Sequence, residues 1–115
     1  MKRSRPRPIS ARQRKLKRLQ DKMQRPVKDR DGYLDILTGE PANDVHEICP
    51  KTFWGPRRRH LAFQMKNMAC VSRATHREAA CQKSRWQMLT KLQELYGYSY
   101  EDEPWSSVIR RGEDG

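Results

Sequence analysis

The chain has 115 residues, of which 35% are hydrophobic and 34% charged, with a formal net charge of +11. That length leaves room for one domain with a core of roughly seventy to eighty residues and excludes a multidomain enzyme. Apolar runs of only a few residues exclude a membrane-spanning helix, and no membrane partner is expected.

The charge is unevenly placed. The first thirty residues hold 13 of the 25 Lys and Arg but only 2 of the 14 acids, so they carry the entire net charge and the rest is neutral. A basic arm on an ordinary domain is the pattern of a polyanion binder, and nucleic acid is the partner expected. A solubilising tail is the plain alternative. Residues 1–9 combine prolines with bases and are expected to be disordered without a ligand. No apolar stretch follows the basic start, so no secretory leader is expected. With three unpaired cysteines, this points to a reducing, cytoplasmic setting.

Ser10 and Gln13 form a capping box, the start signal of a first helix. Leu16, Leu19 and Met23 then make one narrow apolar stripe on a basic rod, and Pro26 is expected to end it. Arg12, Arg14, Lys15, Lys17 and Arg18 are its candidate nucleic-acid contacts. Residues 31–56 read as strand and turn, with Asp31-Gly32 and Thr38-Gly39 as turn signals. Along Asp44–Cys49, Val45, Glu47 and Cys49 fall on one side of a strand, and Asp44, His46 and Ile48 on the other. Residues 51–66 read as a loop, where Arg57, Arg58 and Arg59 beside Phe53, Trp54 and Phe63 suit backbone phosphates. Thr75 and Glu78 read as a second capping box that places His76 at the first turn of a second helix. Leu89, Leu92 and Tyr96 form its stripe, with Trp86 and Met88 at the edges, and Gly97 is its C-cap. The cysteines read as small buried hydrophobes. The stretch after Pro104 is a polar tail except for Trp105, Val108 and Ile109, which are expected to fold back.

His46-Glu47 on a strand, Asn67, and His76 nine residues later at a helix start occur in an order that resembles the HNH endonucleases, especially the small proteins of bacteriophages. The resemblance covers about residues 31–96. It implies an α+β fold: a small ββα-metal core over 31–100, flanked by the basic helix and arm of 1–30, a C-terminal helix, and the polar tail of 101–115. The implied activity is hydrolysis of DNA phosphodiester bonds, with RNA as the other possible polyanion, in the host cytoplasm if the chain is phage-encoded. It further implies one divalent ion (Mg²⁺, Mn²⁺, Ni²⁺ or Zn²⁺) held by His46 and His76, with Asn67 fixing the loop or completing the metal shell.

Two departures from the family stand out. Many members carry two CxxC pairs that bind a structural zinc, and the matching positions here are Asp35, Thr38, Ser72 and Thr75. The family's general base is usually a histidine at the position occupied by Glu47. A solvated carboxylate has a pKa of about 4.3 and is a poor base at neutral pH. Three roles are open for Glu47: base, metal ligand, or the mark of a weakened enzyme. His60 is a substitute base by location only. The competing functions are a non-catalytic DNA- or RNA-binding accessory protein on a decayed HNH scaffold, and a basic ribonucleoprotein adaptor with no metal. A structural zinc site of His46, Cys49, Cys70 and His76 is a further alternative.

Overall fold

The computed structural model describes residues 10–114, so the disorder expected of residues 1–9 lies outside it. Helix α1 spans Ala11–Asp31 and opens on the expected capping box, with Ser10 Oγ and the Gln13 side chain each accepting from the other's amide. Pro26 does not end this helix. It lies on the exposed face, where water can hydrate the carbonyl that the missing N–H leaves unpaired, and Val27 on the next position is fully buried. The helix ends at Gly32 (φ 65°), where the Gly32 amide donates to Asp29 O and the Tyr33 amide to Lys28 O. These two bonds make a Schellman cap, and the left-handed conformation suits glycine.

Strands β1 (Asp44–Glu47) and β2 (Met68–Val71) pair antiparallel, with Val45 opposite Cys70 and His46 opposite Ala69. The ribbon has two unlike faces. Val45 and Met68 look towards α1, where Val27 and Phe63 complete a small cluster bordered by Leu16, Leu19 and Met23. Ala69, Val71 and Ile48 belong to the main core. The loop between the strands runs through three short 3-10 turns, at Lys51–Trp54, Arg59–Ala62 and Met65–Asn67.

The second helical region is divided, and its cap is not Thr75. Ser72 caps helix α2 (Arg73–Glu78) by accepting from the Thr75 amide, so His76 sits in the second half of a six-residue helix. The chain breaks over residues 79–81 before helix α3 (Gln82–Tyr96), which ends at Gly97 as expected. Ser84 Oγ and Cys81 Sγ both donate to Glu78 O, side-chain bonds that compete with continuing the helix. Cys49 and Cys70 are buried but Cys81 is exposed, because it stands at this break rather than on a packed face.

The expected polar tail forms helix α4 (Trp105–Asp114), which packs along α3. Trp105 and Val108 enter the main core with Met88, Leu89 and Leu92, and Ile109 packs against it. A second lock ties α1 to the rest. Arg30 pairs with Asp31 at 2.8 Å and donates to Met65 O and Met68 O, both at 2.6 Å. Asp31 in turn accepts from the Cys70 amide and the Tyr96 hydroxyl. Among the described residues the fold is therefore α+β, four helices around a two-stranded sheet. No described helix is long and apolar enough to cross a membrane.

Candidate functional site

Strand alternation puts Asp44 and His46 on the ribbon face that meets α2. There the rings of His46 and His76 meet edge to face, 5.2 Å between centroids. His76 Nδ1 lies 3.2 Å from Asp44 Oδ2. Without an ion this is a hydrogen bond with the ring proton on Nδ1; an ion between the two atoms would take both lone pairs, the ring proton then lying on Nε2. His46 is more enclosed. Burial, then the positive charges of His76 and Arg85, push its pKa down to about 4, so it is neutral at pH 7.

Buried polar atoms without a partner are uncommon and call for a reason. Among the described residues three side-chain atoms meet that description: His46 Nε2, Arg59 Nε and Arg85 Nε. Arg85 comes from the first turns of α3, where its guanidinium stacks on Phe53 at 4.8 Å. A neutral imidazole with an idle nitrogen, within reach of the positive field of Arg85, is an arrangement suited to an anionic group.

The other residues expected at the site take different places. Asn67 is wholly buried and structural. Its Oδ1 accepts from the Cys49 amide (3.0 Å) and Trp105 Nε1 (2.8 Å), while Nδ2 donates to Cys49 O and Ala62 O (both 2.9 Å). All of its hydrogen-bonding capacity holds the loop between the strands, so it is no metal ligand. Glu47 points to the opposite ribbon face from His46, accepting from Gln20 Nε2 of α1 at 2.7 Å. It is not placed as the base of the histidine pair, because neighbouring residues on a strand point to opposite sides. His60 lines a groove against α1 rather than joining the histidines. Asp44 and Arg85 were missed by the sequence reading. Asp44 was legible, two residues before His46 on the same strand face, whereas Arg85 had no signal because the break between α2 and α3 sets its direction.

Among the described residues no three His, Cys, Asp or Glu side chains are gathered to hold a metal ion by themselves. An open site is a different matter. Ligands about 2.1 Å from an octahedral ion stand roughly 3 Å apart along each edge, and the 3.2 Å pair of Asp44 and His76 fits one such edge. The remaining positions would fall to water and phosphate oxygens, as Mg²⁺ commonly prefers.

Asp35, Thr38, Ser72 and Thr75 also meet. Asp35 Oδ1 accepts from the Leu37 and Thr38 amides at 2.8 Å, and Oδ2 from the Ser72 amide at 2.7 Å. Ser72 Oγ lies 3.2 Å from Thr75 Oγ1. A carboxylate thus cross-links the two turns.

The cations of α1 border two grooves. Arg12, Lys15 and Arg18 face Arg57 and Arg59 across a groove of about 490 Å³, while Arg14 and Lys17 line its neighbour with Phe63. Arg58 is exposed and borders neither. The groove beside Arg57 belongs to the Val45 side of the ribbon, away from His46, since Leu16 and Leu19 form its wall. In comparisons with known proteins, no family model matches the chain, and neither a curated protein nor a solved structure does.

Proposed function

We propose that the protein is a divalent-metal-dependent nuclease of the HNH type that hydrolyses DNA phosphodiester bonds. The observation that carries this reading is the pair of imidazoles between ribbon and helix, one tied to Asp44 and the other with an unpartnered nitrogen. The convergence of Asp35, Thr38, Ser72 and Thr75 supports the same reading, since zinc-bearing HNH proteins need the positions that these resemble to lie together.

Asp44 and His76 would hold the ion, which when bound supplies Lewis-acid stabilisation of charge on the phosphate oxygens. Neutral His46, whose enclosed Nε2 has no other partner, would take the proton of the attacking water only once an anionic phosphate lies beside it, since that negative charge raises the imidazole pKa from about 4 towards neutrality. Arg85 offers its guanidinium to a non-bridging phosphate oxygen and offsets the charge that builds as phosphorus becomes five-coordinate. The basic face of α1 and the Arg57–Arg59 loop hold backbone phosphates without regard to base sequence.

The test is a plasmid-nicking assay in Mg²⁺, Mn²⁺, Ni²⁺ or EDTA. Cleavage that needs metal and is lost in His46→Ala and His76→Ala supports the nuclease. A wild-type protein that binds DNA tightly yet leaves it uncut with every metal is an accessory DNA-binding protein instead.

A further inference from the structure

The geometry points to the groove between α1 and the Arg57–His60 loop as a seat for an unpaired DNA strand, with bases against its wall and phosphates along its rim. This rests only on the DNA-binding half of the function proposed above, not on catalysis. The groove's volume of about 490 Å³ lies within the usual range of ligand sites, about 300–1,000 Å³.

Three features of its lining select the occupant. First, Leu16, Leu19 and Pro56 give it an apolar wall. In a duplex the base faces are hidden by stacking, so an apolar wall would meet only sugar and phosphate. An unpaired strand offers its base faces. Second, six Lys and Arg line the groove, and none has a carboxylate within 4.0 Å among the described residues. That uncompensated charge demands a polyanion rather than a neutral apolar ligand. Third, Arg57, Arg59 and His60 bring planar groups to one side, and both guanidinium and imidazole planes stack on exposed bases. Arg59 Nε is buried without an acceptor, and a small turn of its guanidinium into the groove would give it a base or phosphate oxygen.

No carboxylate, amide or hydroxyl side chain lines the groove to select a ribose 2′-hydroxyl. Nothing there favours RNA over DNA. The groove lies on the other ribbon face from His46, so the strand it holds is a segment remote from the bond attacked.

The test is fluorescence anisotropy of the full chain in EDTA, so that cleavage plays no part. Probes are an oligothymidine of about twenty nucleotides, the matching oligouridine, and a duplex of equal length. The wild type is expected to bind the oligothymidine about tenfold or more tightly over the duplex at one salt concentration. The variant R57K/R59K/H60A keeps both arginine charges but removes the planes. It is expected to lose most of that preference, oligothymidine affinity falling at least about fivefold more than duplex affinity, because the lysines keep the charges that meet phosphate but not the planes that meet bases. Arg57 and His60 are exposed and Arg59 partly so, and a thermal melt matching wild type confirms that the fold is intact. Equal or tighter duplex binding by the wild type overturns the inference, as does an equal loss for both DNA probes in the variant. A strong preference for oligouridine, or a wild-type dimer that the variant dissociates in sedimentation, reassigns the groove. Failure to bind any probe would remove the DNA-binding reading as well, whereas duplex binding without strand preference removes only this one.

Discussion

The Ser72 amide donates to Asp35 Oδ2 at 2.7 Å, and this contact joins the turn after α1 to the N-cap of α2. Asp35 is 3% exposed and accepts two further amides in its own turn. Asp35→Ala leaves three amides without acceptors, which should cost on the order of 2–4 kcal/mol. Urea unfolding measures it. A loss below about 1 kcal/mol would show that water replaces the carboxylate and that the cross-link is incidental.

Acid should destabilise the fold in two separate windows. Burial pushes Asp35 up, but the Ser72, Thr38 and Leu37 amides and the Thr75 hydroxyl outweigh it and hold its pKa at about 2, against an ordinary 3.8. The unfolded chain therefore takes up this proton first. Its stabilisation is present above pH 3.8 and is lost as pH falls towards 2. His46, at about 4 against an ordinary 6.5, behaves alike at higher pH: the unfolded imidazole protonates first, so stability declines from pH 6.5 to 4. Each window is worth on the order of 2–3 kcal/mol. Urea midpoints from pH 7 to 2.5 should show both, and His46→Leu should abolish only the upper one.

Asn67 answers to stability rather than to metal. Removing its amide unpairs the Cys49 amide, Ala62 O and Trp105 Nε1 together and leaves Cys49 O with Trp54 Nε1 alone. Asn67→Ala should therefore cost on the order of 3–5 kcal/mol, near the top of the range for a single substitution. Calorimetric titration of the folded fraction with Mn²⁺ should give wild-type affinity. A well-folded Asn67→Ala that no longer binds the ion would return this residue to the metal shell.

Glu47 and His46 separate the base assignment. Glu47 bonds to Gln20 of α1 on the far ribbon face, and Glu47→Gln can keep a hydrogen bond there. Its cleavage rate should stay within about threefold of wild type, while His46→Ala should fall by roughly 10²–10⁴. The reverse ranking would make Glu47 the base despite its direction.

The electrostatic arm is best tested by substitution, because deleting it would also strip Leu16, Leu19 and Met23 from the smaller apolar cluster. Replacing Arg12, Arg14, Lys15, Lys17 and Arg18 with glutamine should flatten the salt dependence of duplex binding. With about −0.9 per phosphate contact, the slope should change by roughly four to five units. An unchanged slope would move the contacts elsewhere, to the Arg57–Arg59 loop first.

Local signals were legible in the sequence wherever a few neighbouring residues settle the outcome. The Ser10 capping box, the left-handed Gly97 cap, the Leu89 and Leu92 stripe and the inward return of Trp105 and Val108 all depend on short-range spacing and burial. So does the strand alternation that puts His46 and Glu47 on opposite faces. Tertiary structure decided the rest. Pro26 is tolerated because α1 leaves it exposed to water while Val27, one position on, is buried and Arg30, one turn on, is held by Met65 O and Met68 O, a balance no propensity encodes. Asn67 became a buried staple once Trp105, distant in sequence, brought its indole N–H to Oδ1. His76 reached Asp44 and His46 only after the ribbon paired and α2 packed against it. Residue type and spacing limit which side chains can do chemistry, but the distance between them is set by packing that the whole chain must complete.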